Sequence, residues 1–490
     1  HDIYSIEDLK ELIYEIKQLD PNLKVSVKLV SGNNIGAIAL GVTKAGADII
    51  QISGGDGGTG AAALMSMKHC GLIWERGLLE VHRVLSENGL REQVILRVDG
   101  SIQIAHDVIM GSILGADEFD FGKMLLVAEG CIMARVCEKN TCPAGIATQE
   151  KKLKERYKGN KDHIVRYLTQ VATDIQEQLR LIGVESLSKL RGKTEYLSLN
   201  ELATFAENKN LNFDNFFKKI DVLEEIPPFS PEKGHHATNE KIIKDLWDEK
   251  NLKLTGKMTL HKIFSTERAI GAGLNGIMAK RISTLRSLNN NFDLGEGQIL
   301  LKGSAGQGLG VFLVEGLKID LRGDANDFVG KSMSGGLIIV RPDELSSLKP
   351  HKNSIIGNCA FYGATGGEAF ISGMAGDRFG VRNSGTITVV EGVGLHACEY
   401  MTGGRVLILG EHGYNLGAGM TGGAVYIYRP HYEFINTDYI KQVPLTEKDY
   451  KVIENNLELH YEYTKSQIAK EHLEKIGDYV KFLPKSMIKF

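Results

Sequence analysis

Across residues 1–150 the hydrophobic pattern switches between two periods. Val25-Ser26-Val27-Lys28-Leu29-Val30 is β-branched and alternating, with Val25, Val27 and Leu29 on one side and Ser26, Lys28 and Val30 on the other. Residues 48–53, 94–99 and 118–122 are further short strand-like runs, and residues 36–47, 74–87 and 102–114 between them read as helices. Each strand ends in small or polar residues and then a helix, which predicts a parallel sheet. The strand starts fall 23, 46 and 24 residues apart. A (β/α)8 barrel uses ~30 residues per unit, so four units amount to about half a barrel. Half a barrel exposes two sheet edges, and the other half is expected upstream, on another chain or in removed sequence. The chain opens at His1, with a helix predicted from Tyr4 onward. That start is expected to be a cut, a processing site or the boundary of a split gene.

Residues 151–297 are dominated by charged, helix-forming segments such as 163–181, while 209–219 and 240–252 read as surface helices or loops, with a linker around Pro227-Pro228 and Pro231-Glu232-Lys233-Gly234. We read them as a helical connector. Residues 298–430 hold 27 of the 56 glycines and contain a repeat. Ser334-Gly335-Gly336, Thr365-Gly366-Gly367, Ser384-Gly385, Thr402-Gly403-Gly404 and Thr421-Gly422-Gly423 each precede a short apolar run. From Gly367 the glycines step by 18, 19 and 19 residues to Gly385, Gly404 and Gly423, and a 31-residue step from Gly336 carries an insertion near residues 342–354. Glycine turns followed by short stacked strands predict a parallel β-helix. Gly303-Ser304-Ala305-Gly306-Gln307-Gly308-Leu309-Gly310 lacks the Lys-Ser/Thr of a phosphate loop, and no βαβ unit follows it. Residues 431–490 are charged, with helical spacing over 450–476, and form a predicted helical tail.

Composition narrows the classes. Net charge is −3, which gives no global basic field for nucleic acid. No apolar run approaches the ~20 residues of a membrane span. Six cysteines in 490 residues are too few for a disulfide-stapled secreted fold. Cys131, Cys137 and Cys142 nevertheless fall within twelve residues. The spacing Cys-x5-Cys-x4-Cys-Pro fits neither the paired knuckles nor the four ligands of zinc. Three soft thiolates on one loop suit an iron–sulfur cluster in a reducing compartment. Cys70, Cys359 and Cys398 are expected to be buried, and the fourteen histidines show no metal-ligand spacing.

The remaining chemistry lies at strand ends, the catalytic face of a β/α barrel. Asp99 leads into Gly100-Ser101, and Phe121 leads into Gly122-Lys123. Glycine turns at helix N-termini, paired at this spacing, predict a phosphate site. Ser53-Gly54-Gly55-Asp56-Gly57-Gly58-Thr59-Gly60 permits close approach to a planar ligand or a passage. Lys28, inside an apolar strand, needs a partner or a shifted pKa, and is placed to stabilise negative charge on a reduced cofactor.

These residues resemble the glutamate synthase family: His1-Asp2-Ile3-Tyr4-Ser5-Ile6-Glu7-Asp8-Leu9, Val27-Lys28-Leu29-Val30, Gly57-Gly58-Thr59-Gly60-Ala61, and Cys131 through Cys137 to Thr141-Cys142-Pro143. So do Gly323-Asp324-Ala325-Asn326-Asp327, Tyr362-Gly363-Ala364-Thr365-Gly366-Gly367-Glu368 and Cys398-Glu399-Tyr400-Met401-Thr402-Gly403-Gly404. The resemblance implies an α/β plus all-β chain: the C-terminal half of an FMN-binding (β/α)8 barrel (1–150), the helical connector (151–297), a right-handed parallel β-helix (298–430) and the helical tail (431–490). It implies that glutamine-derived ammonia meets 2-oxoglutarate and that the resulting iminoglutarate is reduced by FMN to L-glutamate. It puts FMN against Lys28, Ser53, Asp99, Gly100, Gly122 and Lys123, beside Gly54 and Gly55. It assigns a 3Fe-4S cluster to Cys131, Cys137 and Cys142.

The implied partners are an upstream half carrying the glutaminase domain and the first half of the barrel, and an electron donor, either ferredoxin or an NAD(P)H-oxidising small subunit. The protein is expected to be an oligomer in the cytoplasm or the plastid stroma, with no nucleic-acid or membrane partner. The family's 2-oxoglutarate loop and nucleophilic cysteine lie upstream of the His-Asp-Ile-Tyr motif. Ala62-Ala63 stands where the family has Ser-Pro, and Lys123 where threonine or alanine is common. Two other readings are a related FMN oxidoreductase with another substrate, and a non-catalytic scaffold completing another chain's barrel.

Overall fold

A computed structural model describes residues 3–55, 64–198, 236–287 and 293–488. The Gly57–Ala61 motif, Ala62-Ala63, the stretch 209–219 and the proline linker lie outside the described residues. The chain divides into two compact units, one of His1–Tyr14 with Lys24–Glu232, the other of Glu15–Leu23 with Lys233–Phe490. It is a mixed α/β protein with a large, mostly parallel sheet.

In the first unit, β1 (Ser26–Val30), β2 (Ile49–Ser53), β3 (Ile95–Asp99) and β4 (Glu118–Phe119) form a four-stranded parallel sheet in sequential order. Strand periodicity sends alternate side chains to opposite faces. Ile50, Ile52, Leu96 and Val98 are buried on one face against Leu78 and Leu85 of the helix Trp74–Glu87 and Ile35 and Val42 of the helix Ile35–Lys44. Burying each such aliphatic side chain is worth roughly 1.5–3 kcal/mol. Close approach requires small residues: a Cβ on Gly77 would lie 2.4 Å from Ser31 Oγ, and one on Gly36 2.6 Å from Val84. The other face is polar, and Lys28, Gln51, Arg97 and Glu118 are register partners across all four strands.

The second unit begins with a short hairpin, β5 (Trp247–Asp248) and β6 (Lys253–Leu254). An eleven-stranded sheet follows. Its strands β7 (Lys257–Ile263), β8 (Gly297–Ala305), β9 (Leu317–Ala325), β10 (Ser334–Arg341), β12 (Gly366–Ala375), β13 (Ser384–Gly392), β14 (Thr402–Ile408) and β15 (Gly422–Tyr428) are successive parallel neighbours. β11 (Ser354–Ile356) lies in the 31-residue step and pairs with β9 and β12. Leu301, Leu321, Val340, Ile371, Val390, Ile408 and Ile427 are successive register partners, all buried. On the opposite face Phe370, Val389, Leu407 and Tyr426 pack with Ile453 and Leu457 of the helix Glu447–Thr464.

The structure alters three details of the predicted organisation. The stretch 151–297 is not wholly helical, because residues 257–263 pair with β8 and bury Met258 and Ile263. The tail is not wholly helical either. β16 (Ile440–Val443) and β17 (Tyr479–Pro484) pair antiparallel with each other, and β17 pairs antiparallel with β15. Finally, the rung position of Gly367, Gly404 and Gly423 is held in β13 by Thr386, not Gly385, since Glu368 pairs with Ile387 and Ile387 with Arg405. Those three glycines have positive φ (91°, 77°, 83°), where a Cβ would press on a carbonyl of the preceding rung. At Thr386 the Asn383 side chain replaces that turn chemistry, accepting from the amides of Gly385 (3.0 Å) and Thr386 (2.9 Å).

Candidate functional site

The polar face of the first sheet converges on Asp99. The Lys28 ammonium lies 2.7 Å from Asp99 Oδ2, and Gln51 Nε2 donates to the same oxygen at 3.0 Å. Gln51 Nε2 also donates to Asp120 Oδ2 at 2.8 Å. Arg97 holds Glu118 Oε2 with two N–H groups (2.9 and 2.6 Å) and approaches Asp120 at 3.7 Å. Burial raises the Asp120 carboxyl above its usual range. Arg97 opposes this, Asp99 and Glu118 add to it, and Lys28 opposes it. Asp99 Oδ1 is buried and has no hydrogen-bond partner among the described residues.

Asp99, Gly100, Ser101, Phe121, Gly122 and Lys123 line a cleft of ≈ 510 Å³ at the C-terminal ends of β3 and β4. Gly100 has φ 101° and Ser101 φ 78°, a turn that swings the chain off β3. A Cβ on Gly100 would lie 2.6 Å from the Gly54 nitrogen, so the two glycines bring the ends of β2 and β3 together. Lys123 Nζ reaches Ser101 Oγ at 3.5 Å. A Cβ on Gly122 would meet open space. Ser53 is buried and its carbonyl accepts from the Ser31 amide (2.7 Å). The Gly54 amide donates to Asp99 O and the Gly55 amide to Leu72 O, so both amides hold the loop itself.

The helix-terminus form of the phosphate expectation is not what the fold provides at β3. That helix begins at Ala105, beyond the Gly100-Ser101 turn, and the Asp107 carboxylate already takes the Gln103 and Ile104 amides (2.8 and 3.0 Å). At β4 a short helix (Lys123–Ala128) does begin at Gly122, with no side chain capping it, and the Lys123 ammonium and the Ser101 hydroxyl stand beside that turn.

The cysteine loop is shaped by three non-glycine residues at positive φ, Met133 (55°), Arg135 (53°) and Asn140 (57°). Such conformations persist where the surroundings impose them, and here the Asn140 carboxamide accepts from Thr148 Oγ1 (3.0 Å) and the Gln149 amide (2.7 Å). Cys142 is buried. Backbone N–H groups of Ala147, then of Ile146, Ala144 and Gly145, lower its thiol below the usual range against the effect of burial. Cys131 is half-buried and its sulfur accepts from the Met133 amide (3.4 Å), while Cys137 is exposed. Among the described residues no three His, Cys, Asp or Glu side chains are grouped so as to hold a metal ion.

Gln51, Arg97 and Asp120 belong to the site and were not singled out from the sequence. Their signal was the one used for Lys28: Gln51 and Arg97 each interrupt an apolar strand, and each faces the side that Lys28 faces.

A family model described as "Conserved region in glutamate synthase" matches residues 1–185, and one described as "GXGXG motif" matches residues 239–486. The chain belongs to the glutamate synthase family. Within that family it is 43% identical to the ferredoxin-dependent glutamate synthase of Antithamnion sp., over 98% of this chain and 31% of the relative. It is 43% identical to the glutamate synthase [NADPH] large chain of Azospirillum brasilense (96% and 30%) and 40% identical to the glutamate synthase [NADH] of Schizosaccharomyces pombe (99% and 23%). The chain thus spans less than a third of the length of these relatives, whose names give three different electron donors. Among the described residues, no helix is long and apolar enough to cross a membrane.

Proposed function

We propose that this chain is the flavin and iron–sulfur part of a glutamate synthase, which transfers glutamine-derived ammonia reductively to 2-oxoglutarate to give L-glutamate. The four-stranded sheet is the second half of a (β/α)8 barrel whose interior is the polar Lys28–Glu118 face. Relatives' sequence that this chain does not span supplies the first half, the glutaminase and the 2-oxoglutarate loop. The glycine-turn stack is a right-handed parallel β-helix. The donor is ferredoxin or an NAD(P)H-oxidising subunit, and the compartment is reducing.

The observation that carries the reading is the cleft at β3 and β4. Asp99 lines it and has one buried oxygen, Oδ1, with no donor among the described residues, while a lysine and a serine stand on its rim. An acceptor-only oxygen beside cationic and hydroxyl donors fits the polyol and phosphate of FMN. Lys123 and Ser101 would hold the phosphate, Asp99 a hydroxyl donor, and Lys28 would place positive charge on the barrel-interior face. Cys131, Cys137 and Cys142 would hold the cluster, and the amides around Cys142 favour the thiolate that iron requires. Bound FMN supplies two-electron reduction of an imine and the cluster a one-electron relay. The chain's own residues orient, hold charge and exclude water.

Visible and EPR spectra under anaerobic conditions test this, recorded on the chain alone and on the chain with the rest of its protein. Flavin bands and a three-iron signal are expected when the barrel is complete. Neither cofactor in either sample would sink the reading and favour the scaffold alternative.

A further inference from the structure

Gln51 sits between Lys28 and Arg97 in the strand register. A carboxamide nitrogen carries two N–H groups, and Gln51 commits Nε2 to two carboxylates, Asp99 Oδ2 and Asp120 Oδ2. Asp99 Oδ2 also receives the Lys28 ammonium. With that oxygen bonded twice, Asp99, which lines the cleft together with Asp120, cannot turn without breaking both interactions, and its other oxygen, Oδ1, is buried with no donor among the described residues. An unsatisfied buried carboxylate oxygen is costly and is expected to find a partner.

We infer that Gln51 is a positioning residue of this cleft: by clamping Asp99 and Asp120 with one amide, it fixes the two carboxylates that line the cleft where the cofactor binds. Gln51 does not line the cleft and acts through Asp99. The inference rests on the flavin reading above. The charged groups facing Gln51 are Lys28 from β1, Arg97 and Asp99 from β3, and Glu118 and Asp120 from β4 and its end. A carboxylate at position 51 would add a third acid to Asp99 and Asp120, and a proton shared among the three would restore the missing donor.

The test is FMN affinity, read by flavin fluorescence from pH 5 to 8 on the complete enzyme, for wild type, Gln51→Met and Gln51→Glu, with thermal melting alongside. Gln51→Met should weaken FMN about tenfold at every pH, the loss of one charge-assisted clamp. Gln51→Glu should weaken it at least as much at pH 8 and regain affinity as pH falls. A residue that merely packs would not produce that recovery. If Gln51→Met does not fold, the isosteric Gln51→Glu carries the test through its pH profile. Wild-type affinity in both variants, or no acid recovery in Gln51→Glu, overturns the inference. A wild-type enzyme that binds no FMN overturns the flavin reading and this inference with it, a result distinct from either variant outcome.

Discussion

Lys28 and Asp99 stand 71 residues apart in sequence and 2.7 Å apart in space, on strands separated by one other. The parallel register produces this: Val30, Ser53 and Asp99 are level, and Lys28, one alternate position back, reaches forward to the Asp99 carboxylate. Removing the cation leaves the Asp99 carboxylate held, among the described residues, by Gln51. Lys28→Met should weaken FMN binding about three- to tenfold, a modest effect because the Lys28 side chain is 47% exposed and solvent screens the pair. Flavin fluorescence titration checks this, and an unchanged Kd would show that Lys28 plays no part in the site.

Two cysteines in contrasting surroundings make a matched pair. Cys142 sits in a cage of amides that lowers its thiol, whereas burial pushes Cys398 up to about 12. Cys142→Ala should abolish iron and labile sulfide in the purified enzyme. Cys398→Ala should retain both and lose only some stability. Metal analysis that finds full iron in Cys142→Ala would remove this residue from the ligand set.

His82 makes the first unit acid-sensitive. It is buried, its Nδ1 accepts from Arg91 Nε (3.0 Å), and burial followed by the Arg91 and Arg191 charges lowers its pKa to about 4. An unfolded histidine titrates near 6.5. Between those values the unfolded chain binds the proton and the folded chain does not, so stability falls as pH drops from about 6.5 to about 4 and is flat on either side for this group. The loss is on the order of 3 kcal/mol at ~1.4 kcal/mol per pKa unit. Urea melts at pH 7, 5.5 and 4 should show a shallower slope in His82→Gln, and equal slopes would contradict the assignment.

The buried aliphatic row in the second unit should be sensitive to single truncations. Ile408 is fully buried between Val390 and Ile427. Ile408→Ala should cost about 2–5 kcal/mol, read as a lower denaturation midpoint. Truncating the exposed Leu345 (90% exposed) should cost little.

The short parallel strands were legible because glycine turns and apolar runs recur at near-constant spacing, and the strands of the large sheet stand where that recurrence placed them. The exception was Thr386. A spacing count assigns the rung to the nearest glycine, but an Asn383 side chain performs the turn chemistry there, and only the hydrogen-bond register distinguishes the two. Strand 257–263 was hidden because its lysines and threonine resemble a surface segment, although Met258 and Ile263 enter the core. In the site, Lys28 was visible as a charge in an apolar strand. Its partners were not, because pairing across strands depends on a register that no local pattern encodes. The cysteine spacing was visible, but proximity in sequence says nothing of how three sulfurs are oriented.

A stack of parallel strands ends in a surface that would accept one more strand like the last, which makes it a seed for end-to-end polymerisation. Here β17 meets β15 running the opposite way, and β16 follows it antiparallel. The outermost strand carries exposed Lys441 and Gln442 and is followed at once by Pro444. Reversed direction, charge and a missing amide together deprive a second molecule of a matching template. The tail therefore closes this end of the parallel stack to a further strand of the same direction.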